Sequence, residues 1–128
     1  MSQDNSINSV EIRKLYHESG ALWREIPYEN GKKCGVEKYY HESGALWREI
    51  PYENGEKHGI AKTYYESGPL HWVTPYVNGK IHGIKKVYVK DTQEIYRLSL
   101  YDKERYVLAL YKDLSKTAIK FKRYGNES

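Results

Sequence analysis

The chain reads as an all-β protein, a single-layer antiparallel meander of repeated β-hairpins, and three observations carry that prediction. Residues Tyr16 to Gly31, YHESGALWREIPYENG, recur unchanged as Tyr40 to Gly55, and a diverged third copy begins at Tyr64. Gly20, Gly44 and Gly68 mark a period of 24 residues, the length of a stacked supersecondary unit. Pro27, Pro51 and Pro75 fall inside the longer apolar run of each copy, where they would break a helix.

The elements follow in order. Residues 1–11 are polar at the start (MSQDNSINSV) and are expected to form a disordered tail without an apolar leader segment. Ile12 to Tyr16 stands in the register of Val36 to Tyr40 and opens the first strand. Three hairpin repeats then fill residues 12–87. In each, a short strand reaches a turn at Gly20, Gly44 or Gly68, a longer strand follows, and Gly31, Asn54-Gly55 or Gly79 closes the second turn. Asn-Gly signals a hairpin because both residues tolerate positive φ. Gly35, Gly59 and Gly83 recur just beyond, which marks a backbone geometry that glycine alone adopts cheaply. The ladder is expected to be irregular beside each Pro-Tyr pair.

Strand alternation places Leu46, Arg48, Ile50 and Tyr52 on one face and Ala45, Trp47, Glu49 and Pro51 on the other. Leu22, Leu46 and Leu70 persist, as do Tyr28, Tyr52 and Tyr76, so that side is the expected packed face. Trp23 and Trp47 become His71, which makes the opposite side the adaptable one. Residues 88–124 lose the glycines yet still alternate over 94–101, 105–112 and 117–123. They are expected to form a divergent basic β cap, followed by a tail at 125–128.

Composition narrows the function. The net charge is +4, but residues 1–79 carry −2 and residues 80–128 carry +6, so an anionic partner is drawn to the C-terminal third. Cys34 is the only cysteine, which excludes an internal disulfide and points to a reducing, cytoplasmic setting. No apolar run reaches the roughly 20 residues of a membrane span. Fourteen tyrosines accompany one Phe, a composition suited to half-wet ring positions.

Written as GxxxxYxxxGxLxxxxxYxNGxxxG, the unit resembles the MORN repeat in its variant form, common in bacterial proteins. Gly35, Tyr40, Gly44, Leu46, Tyr52, Asn54, Gly55 and Gly59 occupy the matching positions. The resemblance spans about residues 12–88 and implies a twisted sheet of hairpins. It also implies roles as different as lipid-proximal tethering, protein assembly, presentation beside an enzyme domain and antitoxin-like inhibition.

Chemistry is sparse. Cys34, His58 and His82 form a ladder, but equivalent residues two strands apart stand about 9.6 Å from one another and cannot converge on one metal ion. Glu18, Glu42 and Glu66 are separated in the same way, so no carboxylate pair forms, and no metal, cofactor or catalytic residue is expected. The candidate partner-binding residues are Trp23, Trp47, Trp72, Arg24, Arg48, Tyr39 and His71, the residue types that dominate protein–protein hot spots. Lys112, Lys116, Lys120, Lys122 and Arg123 are candidate anion contacts, with lysine protection of an edge strand as the alternative.

The leading expectation is a non-enzymatic bacterial or phage protein that binds a protein partner and inhibits it by occlusion, as an antitoxin does. A nucleic-acid or small-nucleotide binder and a tethering module that self-assembles through open sheet edges are the competing readings.

Overall fold

A computed structural model of the chain describes residues 9–113 and 118–123. It is all-β: the described residues form thirteen strands in one antiparallel sheet and no helix. The first hairpin joins β1 (Val10–Tyr16) to β2 (Leu22–Glu29), and the two-residue β3 (Lys32–Lys33) folds back on the end of β2. β4 (Gly35–Tyr40), β5 (Leu46–Glu53) and β6 (Glu56–Lys57) repeat the unit. So do β7 (Gly59–Tyr64), β8 (Leu70–Val77) and β9 (Lys80–Ile81). β10 (Gly83–Tyr88) and β11 (Ile95–Asp102) form a further hairpin, and β12 (Arg105–Asp113) and β13 (Ala118–Arg123) complete the sheet.

Two expected boundaries shift. Val10 and Glu11, assigned to the tail, pair with Glu29 and Tyr28 in β1, because the open end of β2 offers its ladder that far. The division at residue 88 cuts a hairpin in two. β10 and β11 share the register and irregularity of the earlier hairpins, with Val87 opposite Arg97 as Tyr39 is opposite Arg48. This fourth copy lacks the glycine signature because its turn, Lys103-Glu104, adopts positive φ (49° and 76°) without an Asn-Gly pair. Residues 1–8, 114–117 and 124–128 lie outside the described residues.

Each strand proline, Pro27, Pro51 and Pro75, is accommodated by a break in the ladder, as the sequence anticipated. Proline has no N–H to donate, so the neighbouring strand cannot pair evenly past it. Lys33 pairs with Tyr28 and Lys38 with Glu25, leaving four residues of one strand against two of the other. The carbonyl of Pro27 accepts from Cys34 N at 3.1 Å, and Pro51 and Pro75 accept likewise from His58 and His82. The next residue turns back over the ring: Gly59 has φ +114°, and a Cβ there would lie 3.1 Å from Pro51 Cγ.

The core is one face of one layer. Ile26, Ile50, Ala61, Thr63, Thr74, Ser99 and Ala109 are buried, and register places them all on the side that carries Arg24, Arg48 and Arg97. The opposite side carries the prolines.

Candidate partner-binding face

The longer strand of each of the four repeated hairpins contains a β-bulge, and the bulge decides what the sheet presents. Register slips between Tyr39 and Tyr40, which pair with Arg48 and Leu46, so Trp47 is the extra residue. The same slip makes Trp23, His71 and Tyr96 the extra residues of the other hairpins. An extra residue breaks period-two alternation and re-aims the side chains on either side of it. The expectation that tryptophan and arginine occupy opposite faces is therefore wrong. Trp47 joins Arg48 and Tyr39, while Leu46 passes to the other face with Tyr40.

All seven predicted partner-binding residues consequently share the arginine face. Trp23 meets the Tyr39 ring edge-on at 6.4 Å between centroids, and Tyr39 meets Trp47 at 5.8 Å. Arg24 lies over the Tyr39 ring at 4.8 Å and Arg48 over Trp47 at 5.0 Å. Further along, His71 contacts Trp72 at 4.5 Å and stacks on Tyr65 at 4.0 Å. Burial holds the His71 imidazole below its ordinary range, so it stacks as a neutral ring. Arg48, Thr63 and Trp72 are successive cross-strand partners, which joins the two clusters into one band.

Glu37 anchors the N-terminal end of this band. It is fully buried, and its carboxylate receives Arg24 Nε at 3.1 Å and Lys33 Nζ at 3.3 Å. Burial alone would raise its pKa, but Arg24 and Lys33 outweigh it and hold the carboxyl below its ordinary value. Sequence reasoning missed Glu37 because it sits in a short strand where alternation marks only its face. A single signal distinguishes it. On this face the equivalent positions read Arg13, Glu37, Ala61 and Lys85, so charge reverses along the repeats.

The proline face differs. Tyr40 and Tyr64 donate to Glu25 and Glu49 at 2.8 and 2.7 Å. Burial, then those hydrogen bonds, push both phenols up to about 12. Lys14, Glu25, Lys38, Glu49 and Lys62 alternate in register across the strands, so each acid lies between two lysines. Beside that row Ile12, Val36, Ile60 and Ile84 stand 58%, 42%, 50% and 46% exposed, each opposite a proline or Leu100.

The remaining candidates fall in distinct places. Lys112 is paired with Glu94 at 2.8 Å. Lys116 lies outside the described residues; Lys120, Lys122 and Arg123 belong to β13, whose side chains lie outside them too. The Cys34–His58–His82 ladder serves the turns. His58 Nδ1 accepts from Asn78 N and His82 Nδ1 from Lys103 N, each one hairpin further on. A hydrogen bond to Glu29, with desolvation and that negative charge, pushes the Cys34 thiol above its ordinary pKa, which makes it a poor nucleophile.

Fold and site together define a β-hairpin repeat protein with one aromatic–arginine face. The family model described as the MORN repeat variant matches residues 12–30, 33–54 and 57–70, three repeats of this sheet. MORN repeats are non-catalytic repeat modules that mediate binding to proteins or membrane lipids. No curated protein and no solved structure matches the chain. No helix among the described residues is long and apolar enough to cross a membrane.

Proposed function

We propose that this chain is a non-enzymatic binding module, acting in the cytoplasm, that seats a protein partner on its arginine face and inhibits it by covering its working surface. The observation that carries the reading is the unbroken contact from Trp23 through Tyr39 to Trp47, flanked by Arg24 and Arg48. Aromatic and arginine anchors held by one another lose little entropy on docking, so their contact area converts efficiently into affinity. An occlusive, antitoxin-like mechanism suits a face whose anchors are held by one another, and the bacterial or phage setting is suggested by the resemblance to the MORN repeat variant. Trp47→Ala is expected to weaken the complex by about 2 kcal/mol, roughly 30-fold in Kd, with the melting temperature measured in parallel. Calorimetry against the partner purified from the native host checks this. Equal affinity for wild type and Trp47→Ala would place the partner elsewhere. The inhibitory element fails if the partner's activity is unaffected at saturation.

A second reading, self-association, is favoured by the exposed row of Ile12, Val36, Ile60 and Ile84 on the proline face. A contiguous apolar stripe beside alternating Lys and Glu is self-complementary under a two-fold axis. Ile60→Lys is expected to convert a concentration-dependent dimer into a monomer in sedimentation experiments. A wild-type chain that stays monomeric at high concentration would end this reading.

A further inference from the structure

The charge reversal along the equivalent positions 37, 61 and 85 has a consequence for what the arginine face binds. At the first position Glu37 bridges Arg24 and Lys33, and the local charge is satisfied. At the second, Ala61 replaces the acid; Arg48, equivalent to Arg24, keeps a buried Nε with no hydrogen-bond partner. At the third, Lys85 stands where the acid stood, in the register position opposite Ser99. Its Nζ lies 5.4 Å from the centroid of the Trp72 ring.

Arg97, one rung across, is equivalent to Arg24 and Arg48. It donates to two hydroxyls, Ser99 Oγ at 3.2 Å and Tyr106 Oη at 3.1 Å. Among the described residues, neither Lys85 nor Arg97 has a carboxylate within ion-pair distance. Burial, with Arg97 adding repulsion, depresses the Lys85 pKa, so holding both cations here opposes folding.

We infer that Lys85, Arg97 and Trp72 form the seat for an Asp or Glu side chain of the partner protein, which supplies from outside the negative charge that Glu37 supplies within the first repeats. The inference rests on the protein-binding reading of this face and deepens it by naming the chemistry of the contact. A carboxylate entering between the two cations would accept from both, with the Trp72 ring covering its apolar stem. Such charge-assisted bonds in a partly desolvated site are about twice as strong as neutral ones. The hydroxyls of Ser99 and Tyr106 hold the Arg97 guanidinium in place beforehand, so little order remains to be imposed on binding.

Titration of the full chain with octaglutamate, and separately with a short oligothymidylate, tests this by two-dimensional NMR at fixed ionic strength. Octaglutamate is expected to shift the Lys85, Arg97 and Trp72 signals saturably. Lys85→Gln is expected to weaken it about ten-fold or more, with a melting temperature unchanged or raised by the lost repulsion. A lower melting temperature for Lys85→Gln would make the lysine structural and overturn the inference. So would tighter binding of oligothymidylate at the same residues, which would name a phosphate ligand, or octaglutamate shifts scattered away from this seat. Because no native partner enters the experiment, its outcome is independent of the Trp47→Ala measurement that tests the broader reading.

Discussion

Glu37→Ala is expected to lower the free energy of unfolding by about 3 kcal/mol at neutral pH, read from urea denaturation. The carboxylate is 0% exposed and, among the described residues, is the only acid paired with Arg24 and Lys33, whose side chains are 20% and 27% exposed. Removing it leaves a guanidinium facing a hole in a thin sheet, with only a fifth of its side chain open to the solvent that would screen it. Replacing the acid and Arg24 together by apolar residues, as in Glu37→Leu/Arg24→Met, is expected to recover most of the loss, because the penalty lies in the orphaned charge.

The sign of the pH dependence follows from the depressed carboxyl. Its contribution is complete above the ordinary value of 4.5 and is lost as pH falls below that through the lower folded value. The acid limb of the stability curve should therefore flatten in Glu37→Ala. A second readout is Tyr52, whose pKa is raised to about 12, by burial first and then by Glu37. In the variant its ionisation should move back toward 10. A stability change below about 1 kcal/mol would mean that solvent reaches this cluster and the pair carries little.

Gly59→Ala is expected to cost about 3 kcal/mol, against roughly half as much for Gly44→Ala. Both glycines have positive φ, +114° and +95°, so each substitution pays the strain of an L-residue in that region. Only Gly59 also faces a fixed obstacle: its Cβ would stand 3.1 Å from Pro51 Cγ, while nothing lies within 4 Å of Gly44. A proline ring on a central strand cannot swing aside. Pairing Gly59→Ala with Pro51→Ala should remove the excess and leave the conformational part, and equal penalties at the two glycines would show that the ring yields.

Much of this was legible beforehand, and the gaps have definite physical causes. The hairpins, the turns and the irregular ladder at each proline follow from residues whose backbone preferences are local. Glycine, asparagine and proline act through their own φ, so a period in them is a period in structure. The strands over 94–101 and 105–112 were also found, because alternation survives the loss of glycine. The fourth hairpin was not recognised as a copy, since Lys103-Glu104 adopts the Asn-Gly conformation against its intrinsic preference. The face carrying Trp23 and Trp47 was misassigned because alternation assumes an unbroken ladder. One bulge reverses the parity of every residue before it. Its trace is an aromatic ring at the extra position of the four repeated hairpins (Trp23, Trp47, His71, Tyr96), which becomes readable once the register is known.

From the residue order alone came the hairpin, its 24-residue repetition and the residue types available for recognition, since these depend on interactions within a few bonds of the chain. Which rings meet which guanidinium groups, that Glu37 is buried, and that Lys85 and Arg97 share a rung without an acid were decided only by pairing between strands. Such pairing brings together residues about ten or more positions apart, and a slip of one residue there exchanges the two faces of the sheet.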